Sequence, residues 1–187
     1  MSTKAEFVNM YKGPKMAILV TGGGVTLASI AMVPGASRVL NSFFCPYATE
    51  ETLNFIREYH PSPPSTMPSS MVSSEAARLL GEAMEAKFPD CNILVVTAAC
   101  TTNRWRRGEN QAFIACKNQY GVLEVWHLKV PKATEAEYAN LTPRMIAQVR
   151  EAEDDGISAV AMMLVLDPNH LLDSFRNIPD ALTRCNS

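Results

Sequence analysis

Uninterrupted apolar runs alternate along this chain with segments in which apolar residues recur every three or four positions. A short apolar run bounded by Gly, Pro or polar residues is typical of a strand covered on both faces, whereas the longer spacing is typical of a helix with one buried side. Two runs, Met16–Thr21 and 92–98, predict strands buried on both faces, and the runs at 39–45 and 157–166 predict two more strands. Two further strands, Gln111–Lys117 and 122–130, are separated by a short turn, which predicts an antiparallel hairpin.

Start signals for helices lie between these strands. A short helix is predicted at 25–33, and longer ones at Thr49, at Ser73 or Ser74, and at Thr142-Pro143, where a capping hydroxyl precedes proline. The apolar stripe of the Thr142 helix consists of Met145, Ile146, Val149 and Ala152, and Gly156 is expected to end it. Asp167-Pro168 repeats the start signal. The residues expected to face inward from that last helix are Leu171, Leu172, Phe175 and Ile178.

Strands that alternate with helices, interrupted by one hairpin, predict a three-layer α/β/α sandwich with a mixed sheet. The 187 residues suit a single domain. Within that domain, residues 1–15 are expected to be an N-terminal extension, and residues 61–70, with prolines among serines, are expected to form a loop.

Composition and charge exclude several classes of protein. The 17 Lys and Arg against 19 Asp and Glu give a net charge of −2, so the chain lacks the basic excess that nucleic-acid binding needs. No apolar run approaches the roughly 18–20 residues that span a bilayer, and residues 1–15 have no apolar centre like that of a secretory signal. A cytoplasmic protein that binds neither nucleic acid nor membrane is therefore expected.

Neither a metal site nor a disulfide framework is predicted. The five cysteines contain no C-x-x-C pair, and His60, His127 and His170 lie at no metal-ligand spacing. No cofactor is expected. Cys100 follows a predicted strand, where nucleophiles often lie, but a buried inert thiol is the simpler interpretation.

Two segments suit the binding of an anion. Gly22, Gly23 and Gly24 lie where a strand feeds a helix, so free N–H groups at the helix start suit a phosphate or carboxylate; a tight turn without a ligand is the alternative. The glycines fit neither a dinucleotide nor a Walker motif. The arginines of the second segment follow the 92–98 strand and suit bidentate anion binding or, alternatively, form a solvated charged surface: Arg104, Arg106 and Arg107.

Taken together, these segments resemble the C-terminal domain of the CinA family, the nicotinamide-nucleotide amidohydrolases. Residues 20–23 (V-T-G-G) resemble the end of the family's A-E-S-x-T-G-G, and residues 33–39 (V-P-G-A-S-R-V) resemble its V-P-G-[AS]-S-x-V-F. Tyr47 falls at the start of Y-S-N-x-A-K, residues 72–75 resemble V-S-x-E, and residues 95–98 stand at A-V-T-G-I-A-G-P. The resemblance covers roughly residues 16–150 in the same order.

This resemblance implies a hydrolase fold without its catalytic dyad. The family hydrolyses the amide of nicotinamide mononucleotide with a serine nucleophile assisted by a lysine. Leu19 stands at the serine position and Thr52 at the lysine position, and neither side chain can do that chemistry near neutral pH. The loop after the 92–98 strand also lacks the family's two glycines.

Three functional interpretations follow from the resemblance and its departures. The first is a catalytically degenerate CinA-like domain that binds a small nucleotide-like anion through a set of nine residues. These are Thr21, Gly22, Gly23, Gly24, Tyr47, Thr97, Arg104, Arg106 and Arg107. The second is an active amidohydrolase with a relocated nucleophile: Thr21, Ser37, Ser42 or Cys100. The third is a structural or assembly module. The resemblance and the edge of the hairpin after Tyr120 further predict a homodimer or higher homo-oligomer.

Overall fold

A mixed sheet runs through the middle of the protein, whose computed structural model describes residues 3–167 and 181–185. Six strands lie in the order β2-β1-β3-β4-β5-β6. Strands β1, β2 and β3 are parallel to one another, whereas β4, β5 and β6 each run antiparallel to the preceding strand in the sheet. The strand bounds are β1 Met16–Thr21, β2 Leu40–Phe44, β3 Asn92–Ala99, β4 Gln111–Lys117, β5 Leu123–Lys129 and β6 Leu182–Arg184.

Helices cover both faces of this sheet, which confirms the predicted three-layer α/β fold. On one face, α2 and α3 pack on Leu19 and Val95; on the other, α1, α5 and a 3-10 helix pack on Ile18, Val20 and Val96. The helix bounds are α1 Lys4–Met10, α2 Thr49–Tyr59, α3 Ser74–Lys87, α4 Glu135–Ala139 and α5 Pro143–Leu166, with 3-10 helices at Val25–Met32 and Ala36–Arg38.

The prediction of a strand at 157–166 is wrong. These residues form the second half of the 24-residue helix α5, and Gly156 lies inside that helix instead of ending it. The run is apolar on every side because this half of α5 is buried on almost every side, from Ile157 to Leu164. A short apolar run has the same pattern in a buried strand and in a buried helix, so the pattern alone could not separate the two.

Smaller differences concern the N-terminal segment, the start of α2, the edge of β5 and the last predicted helix. Residues 1–15, expected to be only an extension, contain α1, which Thr3 caps with its side chain and which buries Phe7 and Val8. Thr49 is the first residue of α2 instead of its cap. Strands β4 and β5 form the predicted hairpin, but β6 covers the edge of β5 that was expected to be exposed. The helix predicted from Asp167-Pro168, with Leu171, Leu172, Phe175, Ile178 and His170, lies outside the described residues.

The topology brings the ends of three strands together. Because β1, β2 and β3 are parallel, their carboxyl ends meet at one edge of the sheet. Thr21 and Thr97, on neighbouring strands there, are register partners. No helix in the described part of the chain is long and apolar enough to cross a membrane.

Candidate functional site

The glycine turn after β1 is pressed against β3. Gly22 and Gly24 have φ angles of +77° and +81°, which side chains rarely allow. A Cβ on Gly22 would lie 2.0 Å from the carbonyl oxygen of Ala98, and one on Gly23 would lie 2.7 Å from the Ala98 Cβ. Close packing within the chain therefore explains why these positions are glycine.

The N–H groups of this turn bind a carboxylate of the protein itself. Asp154, on α5 and 6% exposed, accepts hydrogen bonds from the backbone N–H groups of Gly24 at 2.8 Å, Val25 at 3.2 Å and Thr26 at 2.8 Å. The Thr26 hydroxyl donates to the same carboxylate at 2.7 Å. This is the position that the sequence assigned to an anionic ligand, at the start of the Val25–Met32 helix. Asp154 was not predicted, since it lies about 130 residues away in sequence.

Two neighbouring side chains of α5 hold the loops beside the turn. Arg150 donates to the carbonyl oxygens of Gly22 and Thr101. Glu153 accepts from the N–H of Thr101 at 2.8 Å and from its hydroxyl at 2.7 Å, and it also accepts from the Asn110 amide at 3.2 Å. Together with Asp154, these side chains fasten α5 over the carboxyl ends of β1 and β3.

The three predicted arginines divide into two kinds. Arg106 is part of the loop structure, because it donates to the carbonyl oxygen of Cys100 at 3.1 Å and to the Asn110 amide oxygen at 2.8 Å. Arg104 and Arg107 are exposed. The loop between them is held by Trp105, whose indole N–H donates to the carbonyl oxygen of Ala133 at 3.1 Å. Two guanidinium groups are thus presented to solvent beyond the end of β3.

Two threonine hydroxyls lie side by side under the α2–α3 face of the sheet. Thr97 is fully buried, and its Oγ1 has no hydrogen-bond partner; Thr21 is 6% exposed. The same row of cross-strand neighbours continues through Phe113 to His127, whose rings stack with centroids 4.6 Å apart. Burial lowers the pKa of His127, and the charge of Lys129 adds to this effect. Tyr47, which follows β2, is 67% exposed.

The two positions that the resemblance assigns to a catalytic dyad are buried in this structure. Leu19 is fully buried in the cluster under α2 and α3, together with Ile56 and Leu80. Thr52 is also fully buried, and its hydroxyl donates to the carbonyl oxygen of Pro46 at 2.6 Å. Lys15, the lysine nearest to Thr21 in sequence, lies at the opposite end of β1, where its backbone carbonyl accepts from the N–H of Asn92 at 3.0 Å.

The other candidate nucleophiles are placed less favourably. Burial raises the pKa of Cys100 to about 11, so its thiol is protonated at neutral pH, and only 2% of the residue is exposed. Ser42 is paired in the register with Ala17, towards the amino end of β1, and Ser37 is exposed in a 3-10 helix. Within residues 3–167 and 181–185, no group of three or more His, Cys, Asp or Glu side chains is arranged to hold a metal ion.

Leu19→Ser is expected to destabilise the protein by about 3 kcal/mol or more. The change removes buried methyl groups, leaves a cavity and buries a hydroxyl among apolar side chains. Chemical denaturation measures the loss, and Leu53→Ser, at a half-buried position on α2, is the matched control with a smaller expected loss. Equal losses at the two positions would contradict the placement of Leu19 in the core.

The fold matches that of CinA-superfamily proteins. A CinA-superfamily protein from Escherichia coli aligns with a TM-score of 0.55 at 12% identity, over 78% of this chain and 88% of that one. A competence or damage-inducible protein from Enterobacter asburiae aligns with a TM-score of 0.56 at 8% identity, over 86% and 99%. A competence/damage-inducible protein from Agrobacterium tumefaciens aligns with a TM-score of 0.51 at 16% identity, over 84% and 98%.

No protein-family model matches the sequence, and the search of curated proteins found no match. At 8–16% identity the structural likeness concerns the fold. This chain therefore has a CinA-like architecture.

Proposed function

We propose that this CinA-like domain has lost amide hydrolysis and acts by binding. The observation that carries the proposal is the burial of both dyad positions. Leu19 offers no nucleophilic atom and is part of the core, and the Thr52 hydroxyl is engaged with the backbone that precedes α2. A hydrolase of the Ser–Lys type needs a nucleophile and a base within hydrogen-bond reach of each other, roughly 2.6–3.2 Å apart.

A relocated nucleophile is a weaker explanation. Thr21 is the best placed of the four candidates, since it lies at the carboxyl end of β1. It still needs a base, and the lysine nearest to it in sequence, Lys15, is at the other end of the strand. Cys100 is protonated and shielded, as described above. The amidohydrolase alternative therefore depends on a base other than Lys15 beside Thr21.

One unsatisfied hydroxyl group supports a ligand site at the same edge of the sheet. A buried hydroxyl without a hydrogen bond costs stability, and the Oγ1 atom of Thr97 is such a group. Because Thr97 is fully buried, a small polar ligand beside Thr21 would have to displace neighbouring side chains to hydrogen-bond the Thr97 hydroxyl. The exposed Arg104 and Arg107 offer positive charge to its anionic part, and Tyr47 offers an aromatic ring.

The ligand site proposed from the structure differs from the one proposed from the sequence. Because Asp154 already occupies the N–H groups of Gly24 and Thr26, an anion bound at the glycine turn would have to displace it. We therefore place the ligand beside Thr21 and Thr97, on the α2–α3 face. A nucleotide-like molecule remains the proposed class, since it combines hydrogen-bonding groups with an anionic part.

Binding of nicotinamide mononucleotide is expected to raise the melting temperature of the wild-type protein and not that of Thr97→Val. A hundredfold excess of ligand over Kd stabilises by about 2.7 kcal/mol, which corresponds to a rise of roughly 5–10 °C for a chain of this size. Thr97→Val keeps the shape of the side chain and removes the hydroxyl. Thermal shift with the mononucleotide, and with related nucleotides, measures the effect.

A matched control separates the site from general effects. Thr66→Val makes the same change in the exposed loop after α2 and should leave the ligand-induced shift intact. The absence of a shift with every nucleotide tested would contradict ligand binding and favour the assembly role. An equal shift in wild type and Thr97→Val would place the ligand elsewhere.

A further inference from the structure

The first half of α5 carries an apolar stripe that the other described residues leave partly uncovered. Met145, Val149, Ala152 and Gly156 recur with helical spacing and so lie on one side of the helix. The sequence predicted that most of this stripe is buried, but Met145 is 43% exposed, Ala152 is exposed and Val149 is half-buried. The buried part of α5 begins at Asp154.

A groove runs along this stripe. Its second wall is the end of β5 and the residues after it, Leu128, Val130 and Pro131, and its volume is about 430 Å³. Among the described residues that line it, Lys129 and Glu153 are the charged ones, and Glu153 accepts hydrogen bonds from Thr101. Both walls are therefore suited to an apolar occupant that is helical in shape.

Gly156 points to close approach by another backbone. A Cβ built on this residue meets no atom within 4 Å, so packing inside the chain does not require a glycine there. Its backbone is helical, and glycine is a poorer helix former than alanine. A glycine in mid-helix that faces open space is explained if a second helix packs closely against it.

Charges beside the stripe identify that second helix. Arg144, Gln148, Glu151 and Asp155 form a row along one side of the stripe, positive at its amino end and negative at its carboxyl end. Arg144 and Asp155 are exposed, and neither forms an ion pair with another described residue. They are roughly 16 Å apart along the helix, too far to pair with each other.

We propose that α5 is a homodimer interface, in which the stripes of two copies pack antiparallel across a two-fold axis. In an antiparallel pair of identical helices, the charged row of one helix lies beside the same row of the other helix. Arg144 of each chain then meets Asp155 of the other chain, which gives two symmetry-related ion pairs. Met145 then lies opposite the small Gly156 of the second copy, and Val149 opposite Ala152. A parallel pair would not match the row with itself in this way.

Sedimentation equilibrium of the full chain tests the interface. The wild-type protein is expected to dimerise, and Ala152→Glu to raise the dissociation constant at least about tenfold, because it places a charge without a partner in an apolar contact. Ala147→Glu is the matched control: the residue is exposed on the opposite side of the same helix. A wild-type chain that is monomeric at about 100 μM, or an equal effect of the two variants, overturns the proposal.

A charge swap tests the antiparallel arrangement. Arg144→Glu and Asp155→Arg should each weaken dimerisation roughly three- to tenfold, whereas the double variant should return to near the wild-type value because both pairs are restored with opposite sign. Gly156→Leu should weaken the dimer although it adds apolar surface. Stronger association of Gly156→Leu, or additive losses in the double variant, would overturn this geometry.

Discussion

Replacing Asp154 with alanine is expected to cost about 3 kcal/mol of unfolding free energy. The carboxylate is almost fully buried and accepts from three consecutive backbone N–H groups and the Thr26 hydroxyl. Hydrogen bonds to a charged group are stronger than neutral ones, and the change leaves several donors without a partner. For a chain of this length, a loss of that size lowers the melting temperature by roughly 6–12 °C.

The neighbouring residue provides the control for this prediction. Asp155→Ala removes the same chemical group one position along α5, where the side chain is exposed in the monomer, so a change within about 0.5 kcal/mol is expected at protein concentrations below the dissociation constant of the dimer. The loss of unfolding free energy for Asp154→Asn should lie between those for Asp154→Ala and Asp155→Ala, because the amide retains one accepting oxygen. Thermal and denaturant unfolding measure all three. Similar losses for Asp154→Ala and Asp155→Ala would show that the carboxylate does not hold the glycine turn.

Much of the fold was predictable from local patterns. Strands β1 and β3 and the β4–β5 hairpin were found because buried runs and a short turn are visible within a few residues. The start of α3 at Ser73 was found for the same reason, since the serine side chain caps the helix by accepting from the N–H of Ala76. The proximity of Thr21 and Thr97 also followed, because parallel strands that neighbour each other end at the same edge.

What the sequence could not reveal depends on distant partners. The run at 157–166 was assigned to a strand because its neighbours in space, which surround it as a helix, are not visible in the pattern. Helix α1 lies in a polar segment and was missed, although Phe7 and Val8 join the core below α5. Strand β6 has only three residues, too few for a recognisable period.

At the site, the sequence revealed the glycine turn but not the carboxylate that binds it. Glycine at 22–24 is visible in the sequence, but whether its N–H groups are free for a ligand depends on a residue of another element. Asp154 stands in a helix that has both acidic and apolar residues, and nothing local distinguishes it from the exposed Asp155. The sequence showed that Leu19 and Thr52 cannot act as nucleophile and base, but it did not show that both residues are fully buried.

The loss of amide hydrolysis is expected to be large. Removing a nucleophile from such a unit typically reduces the rate by several orders of magnitude. Leu19 and Thr52 replace both members of the dyad that the resemblance implies, and the core has closed around them. The double variant Leu19→Ser with Thr52→Lys is also expected to be inactive, because its two polar groups would be buried in the core. Activity in that variant would show that an open pocket surrounds the two positions.

Release of ammonia from nicotinamide mononucleotide by the purified wild-type protein is the most direct test. The assay is run beside an active amidohydrolase of the CinA family as positive control and beside the Thr21→Ala variant. No release above the buffer rate is expected, with wild type and Thr21→Ala indistinguishable. Ammonia release by the wild-type protein at a rate comparable to the positive control, abolished by Thr21→Ala, would contradict this expectation and establish an enzyme with a relocated nucleophile.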